Sequence, residues 1–255
     1  MDLLHAALLV VAGVAGGIIA AIVGGAAVVT FPALIAAGLP PVMATVSNTV
    51  ALTPGLFLAA MYDRSQLPPF DRSFIAVVLA SITGALAGAV LLVLTPEHVF
   101  ATLVPLLLGL ATVLFAYAGR ISTWLAARAA ARGAKRFSVH SLGAVLPVSV
   151  YNGYFGVGVG VLMLGVFSVG TGGDYRSANV AKNLVAALNS ATAAAVFALQ
   201  GRVAWPTTLL MMTGTLLGGL IGARLAQVMP NRVARSLVAV VGALLTGAFV
   251  WRYWL

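Results

Sequence analysis

Residues 73–94 and 98–119 are two apolar runs joined by a turn at Thr95-Pro-Glu-His98, and each is long enough to cross a bilayer. A helix rises about 1.5 Å per residue, so roughly 20 apolar residues match a hydrocarbon slab of about 30 Å. Runs of similar character occupy residues 3–23, 41–62, 138–157, 175–199, 205–228 and 232–254. Lipid offers no partner to a backbone N–H or C=O, which leaves helices or closed barrels. Long continuous runs, rather than short alternating ones, select helices. The chain is 62% hydrophobic and only 7% charged, with a mean hydropathy of +1.09, whereas soluble domains carry about 25% charged residues. The expected fold class is therefore all-α and polytopic, a multi-pass protein of the cytoplasmic membrane.

The formal charge of +9 does not point to nucleic acid. The basic residues sit in loops beside apolar spans, as cytoplasmic flanks do. The chain has no cysteine, which excludes disulfides and thiolate metal sites. Met1-Asp2 gives no basic segment before the first apolar run, so that run is taken as mature structure and not as a signal peptide. His5, His98 and His140 lie near span ends without metal-ligand spacing; no metal and no cofactor is expected.

Two segments are too short to cross. Gly24-Gly25 interrupts the first run before residues 26–38, which end at Gly38-Leu-Pro-Pro41, and Gly156-Val-Gly-Val-Gly160 precedes a short segment ending at Gly170-Thr-Gly-Gly173. Segments of 10–14 residues suggest re-entrant or broken helices. Pro41 suits the first turn of the next helix, and Pro54 is expected to kink it.

The pattern repeats at a constant offset of 134 positions. Gly24 falls on Gly158, Gly38 on Gly172, Ala44 on Ala178, Val46 on Val180, Asn48 on Lys182 and Thr49 on Asn183. Short segment, break and polar cluster recur in the same order. This gives a first transmembrane repeat over residues 1–119, a basic linker over 120–137 carrying Arg120, Arg128, Arg132, Lys135 and Arg136, and a second repeat over 138–255. Each repeat is read as a broken, re-entrant helix followed by three transmembrane helices. Three is odd, so the repeats are expected to be inverted, with both termini outside. The cytoplasmic side then holds Arg64, Arg72, the linker, Arg176, Arg224, Arg232 and Arg235, and the outer side only Arg202 and Arg252. If the first helix of each repeat crosses fully, the parity changes. Trp251, Tyr253 and Trp254 suit an interfacial belt.

Lys182 is the residue out of place. It lies seven residues into the run that begins at Tyr175, about 10 Å along a helix axis. An ammonium there costs on the order of 3 kcal/mol on insertion scales, so it normally faces a cavity and a partner. No acidic residue lies inside any apolar span, and the expected partner is a mobile anion. Helix breaks leave orphan N–H groups at a positive dipole end, and paired interrupted helices point to a transporter site. The expected binding set is Lys182 with Asn48, Asn183, Ser47 and Thr49 as neutral donors, and Gly24, Gly25, Gly158 and Gly160 at the breaks. Each has a plainer reading: glycines as packing contacts, asparagines as interhelical glue, hydroxyls bonded to their own helix, and a lysine that snorkels to the surface. Tyr151 and Asn152, before the second break, are further candidate lining residues.

Gly24-Gly-Ala-Ala-Val-Val-Thr-Phe-Pro32, followed by Gly38 and Ala44-Thr-Val-Ser-Asn48, resembles the first-repeat signature of the TauE/SafE family of sulfite and organosulfonate exporters. Gly153-Tyr-Phe-Gly-Val-Gly-Val-Gly160 with Ala178 to Lys182 resembles its second. The resemblance spans essentially the whole chain. It implies a secondary transporter that exports sulfite, sulfoacetate or a related organosulfonate and is linked to the proton gradient. One departure concerns substrate more than fold: Ala26 follows two adjacent glycines where the family frequently has a longer glycine run. An anion channel, or a transporter of another small organic anion, shares the same features. A retinal-type photoreceptor would lack a counter-ion for Lys182, and an enzyme would lack any buried His, Asp, Glu or Cys cluster.

Overall fold

The computed structural model describes residues 3–131, 139–227 and 231–254, and all regular structure among them is helical. The first half comprises α1 (Leu3–Ile22), the short α2 (Ala27–Ala36), α3 (Pro41–Tyr62), α4 (Arg72–Leu94) and α5 (Glu97–Ala116). A connecting helix α6 (Ala118–Ala131) leads to α7 (Val139–Tyr154), the short α8 (Val159–Gly170), α9 (Tyr175–Leu199), α10 (Trp205–Leu225) and α11 (Asn231–Trp254). Helices α1, α3, α4, α5, α9 and α10 are long and apolar enough to cross a membrane. The expected linker residues Arg132, Lys135 and Arg136 lie outside the described residues, as do the side chains of Arg128, Arg232, Arg235 and Arg252.

Local chemistry sets the boundaries. Pro41 starts α3, where its missing N–H costs nothing, and α3 runs on through Pro54 to Tyr62 as one helix. The Asp71 carboxylate caps α4 by accepting from the Phe74 N–H at 2.8 Å, and Asp174 caps α9 through the Arg176 N–H at 3.1 Å. Two runs stop short of their apolar ends. The chain turns at Tyr117, so α5 closes at Ala116 and not at 119. Gly156, at φ +76°, ends α7 at Tyr154 and not at 157, because the left-handed region cannot continue a right-handed helix.

The halves pack reciprocally. The first helix of each half lies on the fourth of the other, α1 on α10 and α7 on α4, and α3 lies on α10 as α9 lies on α4. Small residues permit the contact: a Cβ on Gly214 or Gly218 would strike the α1 backbone at Val10 or Val14, and one on Gly84 or Gly88 would strike α7 at Leu146 or Val150. With no hydrophobic drive between helices in lipid, such close backbone approach supplies the association energy. Helices α5 and α11 meet where the Thr112 and Thr246 hydroxyls stand 3.3 Å apart. Gly109 neighbours Thr246 and Gly242 neighbours Thr112, so these two helices run antiparallel.

Each break is the bend of a hairpin. Helix α1 runs alongside α10 in the same direction, Gly13 by Gly214 and Gly17 by Gly218, and α2 leads back to the start of α3. Both legs therefore open to the end of the bundle where Glu97 accepts from the Val42 N–H at 2.9 Å. Helices α7 and α8 open to the opposite end, where Arg176 and Asp63 form a two-pronged ion pair at 2.6 and 2.9 Å.

Candidate functional site

The two bends meet. Gly24, at φ +85°, lies directly against Gly160, and a Cβ on either residue would overlap the other's backbone. Glycine is required at Gly24 twice over, by its left-handed backbone and by this approach. Beside the contact is a cavity of about 50 Å³, room for a few water-sized groups. Lys182, Asn48, Thr49, Asn152, Gly24 and Gly160 line it, with Ala26 and Ala27 at the start of α2 and Val159 at the start of α8. The first N–H groups of a helix have no intrahelical acceptor. Two positive helix ends therefore face one small space. Among the described residues, no acidic side chain lines it.

The carbonyl end of α1 reaches the same region and is answered by α9. Tyr175, Asn179 and Asn183 recur every four residues, with Lys182 beside them, so all four project from one face. The Tyr175 hydroxyl donates to the Ile22 carbonyl at 3.2 Å, Asn179 and Asn183 both donate to Ala21 at 3.1 and 3.2 Å, and the Lys182 ammonium donates to Ala20 at 3.3 Å. Lys182 is 1% exposed, and it does not snorkel. A cation at a helix C-terminus meets the negative dipole end, which helps hold this ammonium in an apolar setting.

Five of the expected residues gather at the cavity: Lys182, Asn48, Thr49, Gly24 and Gly160. The Thr49 hydroxyl also donates to its own helix at Thr45, 3.0 Å away. Four stand elsewhere. The Ser47 hydroxyl accepts from the Ala204 N–H at 3.1 Å, ahead of α10. Asn183 ties α9 to α1 and lines a second cavity. Gly25 makes room for the Phe115 ring, and Gly158 caps α8 at φ +80° against Ala111. The role of Asn179 and Tyr175 was not read from the sequence, although their four-residue spacing ahead of Asn183 was there to find. Asn48 Oδ1 and Asn152 Nδ2 are buried without a hydrogen-bond partner among the described residues. Unpaired buried polar atoms are rare in folded proteins, and these two lie on residues lining one cavity.

The description "sulfite exporter TauE/SafE" belongs to the family model that matches residues 9–249. A probable membrane transporter protein of Haemophilus influenzae is 24% identical over 253 residues, covering 98% of this chain and 96% of its own. Probable membrane transporter protein YfcA of Escherichia coli K12 is 26% identical over 92% of this chain and 86% of its own. Probable membrane transporter protein ORF9 of a Sinorhizobium species is 28% identical over 92% and 88%. No solved structure matches the chain. Six helices long and apolar enough to cross a membrane and a match that runs from the first helix into the last lead to one assignment: this multi-pass membrane protein belongs to the sulfite exporter TauE/SafE family of membrane transporters.

Proposed function

We propose that the protein is a secondary carrier that exports a small sulfur oxyanion, sulfite or an organosulfonate such as sulfoacetate, and that the cavity at Lys182 is its binding site. The observation that carries this reading is a buried ammonium beside two helix N-termini in a cavity with no acidic lining among the described residues. A sulfite or sulfonate group presents three acceptor oxygens, which an ammonium, the Asn48 and Asn152 amides and first-turn N–H groups can satisfy together. Sulfur chemistry and outward direction rest on the family description. Linkage to the proton gradient remains an expectation of the resemblance, since no carboxylate lines the cavity among the described residues.

A carrier, rather than a channel, is favoured by the reciprocal packing. Equivalent helices α5 and α11 run antiparallel and touch at Thr112 and Thr246, residues separated by the 134-position offset of the repeat. An equivalent pair in contact is what a two-fold axis through the interface produces, and inverted halves are the framework of alternating access. Calorimetry on the purified protein with sulfite, sulfate, sulfoacetate, taurine and thiosulfate tests the assignment. Binding of at least one sulfur oxyanion that disappears in Lys182→Ala is expected; undiminished affinity in that variant removes the site. Counterflow of labelled anion in proteoliposomes separates carrier from channel.

A further inference from the structure

A second cavity, of about 280 Å³, lies at the end of the bundle where α3 finishes and α9 begins. Its chemistry is opposite to that of the first. Asp63, Asp174 and Arg176 stand at its walls, two carboxylates against one guanidinium, and Asn179 and Asn183 form its inner side. Both asparagines are at least nine-tenths buried, at 6% and 2% exposure. Each must present Nδ2 to the Ala21 carbonyl, because a carbonyl accepts only from a donor. That fixes both amide orientations and turns both Oδ1 atoms away from Ala21. Neither Oδ1 has a hydrogen-bond donor among the described residues. Two buried acceptors without a donor among the described residues, on two residues that line one polar cavity at the negative end of a helix, point to a seat for a cation.

We propose that this cavity binds a monovalent metal cation of sodium size, held by the amide oxygens of Asn179 and Asn183 at the carbonyl end of α1. Oxygen donors suit hard cations, and broken-helix C-termini are where transporters coordinate coupling ions. The low formal charge of the set favours a monovalent ion, because Asp63 is already engaged by Arg176 at 2.6 Å. The proposal deepens the carrier reading by naming its coupling ion. A cation here shares the end of α1 with the Lys182 ammonium on Ala20, and the two positive charges repel. An anion bound at Lys182 relieves that repulsion, so cation and anion binding strengthen each other, and linkage makes the effect reciprocal.

The test uses the intact purified protein in choline chloride, with NaCl replacing it at constant ionic strength. A saturable rise in melting temperature with sodium is expected, absent with choline. Half-saturation should move to higher sodium by about tenfold or more in Asn179→Ala and Asn183→Ala, the scale of losing one oriented group at a metal site. Asn183→Ser removes the amide oxygen but keeps a hydroxyl donor for the Ala21 carbonyl, and should likewise move it to higher sodium, which preserves a readout if the alanine variants do not fold. Equal melting in sodium and choline overturns the proposal, as does an unshifted response in the variants. Sulfite calorimetry in sodium-free choline reports separately on the Lys182 site. Anion binding without a sodium response sinks the cation site alone, and a sodium response without anion binding sinks the Lys182 assignment alone.

Discussion

At Lys182 two demands coincide. The ammonium closes the Ala20 carbonyl at the bend of α1 and α2, and it lines the cavity where an anion is expected. Replacing it with alanine removes a buried charge, which is favourable, and orphans one carbonyl, which costs about 1–3 kcal/mol. These oppose, so Lys182→Ala is expected to melt within a few degrees of the wild type while losing anion binding. Collapse of the fold would assign the residue to structure alone. Gly24→Ala and Gly160→Ala should behave in the opposite manner, because the added Cβ strikes backbone that cannot yield. Both should lower stability and accumulation of folded protein, measured by size-exclusion chromatography in detergent. The lysine was legible in the sequence because a cation amid leucine and alanine has few excuses. Gly25 and Gly158 were grouped with it by their place at the breaks and Ser47 as a donor beside Asn48, but position along the chain does not reveal the azimuth at which neighbouring helices dock. Ser47 faces the start of α10 and Gly25 faces Phe115, and neither contact has a local signature.

The same gap between pattern and docking recurs among the helices. A fully buried cluster joins α4, α7 and α9: the Ser81 and Ser149 hydroxyls lie 2.7 Å apart, and Asn189 Nδ2 donates to Ser81 at 2.8 Å and to Ser149 at 3.3 Å. At the repeat offset Ser81 corresponds to Thr215 and Asn189 to Gly55. There the first half uses close contact in place of a polar network: Gly55 packs on the Thr215 backbone, and the Thr215 hydroxyl donates to the Ala51 carbonyl. At this pair of equivalent positions, a three-residue polar network on one side is matched by close glycine contact and a single interhelical hydrogen bond on the other. Asn189→Ala leaves two buried hydroxyls short of a partner and should cost about 1–3 kcal/mol, read as a lower melting temperature with sulfite affinity unchanged. Gly55→Asn, the converse exchange, should be worse, since its site has no space. The order of the apolar helices was readable because apolar length and glycine breaks are local signals, whereas α6 falls largely in the stretch read as a basic linker. The exchange of partners between halves was not, because it is decided by surfaces that come together only after each helix has formed.

For the molecule as a whole, orientation in the membrane follows from which residues share an end. Asp63 and Arg176 meet at one end, and there Arg224 stacks on the Tyr62 ring at 5.8 Å. That end also collects Arg64, Arg72 and Arg120, while the opposite end, where Glu97 meets Val42, has Arg202. An excess of Lys and Arg marks the cytoplasmic side, so the second cavity should open to the cytoplasm and the α1–α2 hairpin to the outside. Helices α5 and α11, equivalent at the repeat offset, run antiparallel, the arrangement that the proposed inverted halves would give. Since the chain contains no cysteine, single substitutions give clean reporters. Gln200→Cys, exposed at the outer end of α9, should react in intact cells with a membrane-impermeant maleimide. Ser65→Cys, beyond α3, and Thr123→Cys, on the exposed face of α6, should react only after the membrane is opened. Labelling of Gln200→Cys and Ser65→Cys from the same side would contradict a bundle in which α3 and α9 bring their polar clusters to one site from opposite faces of the membrane.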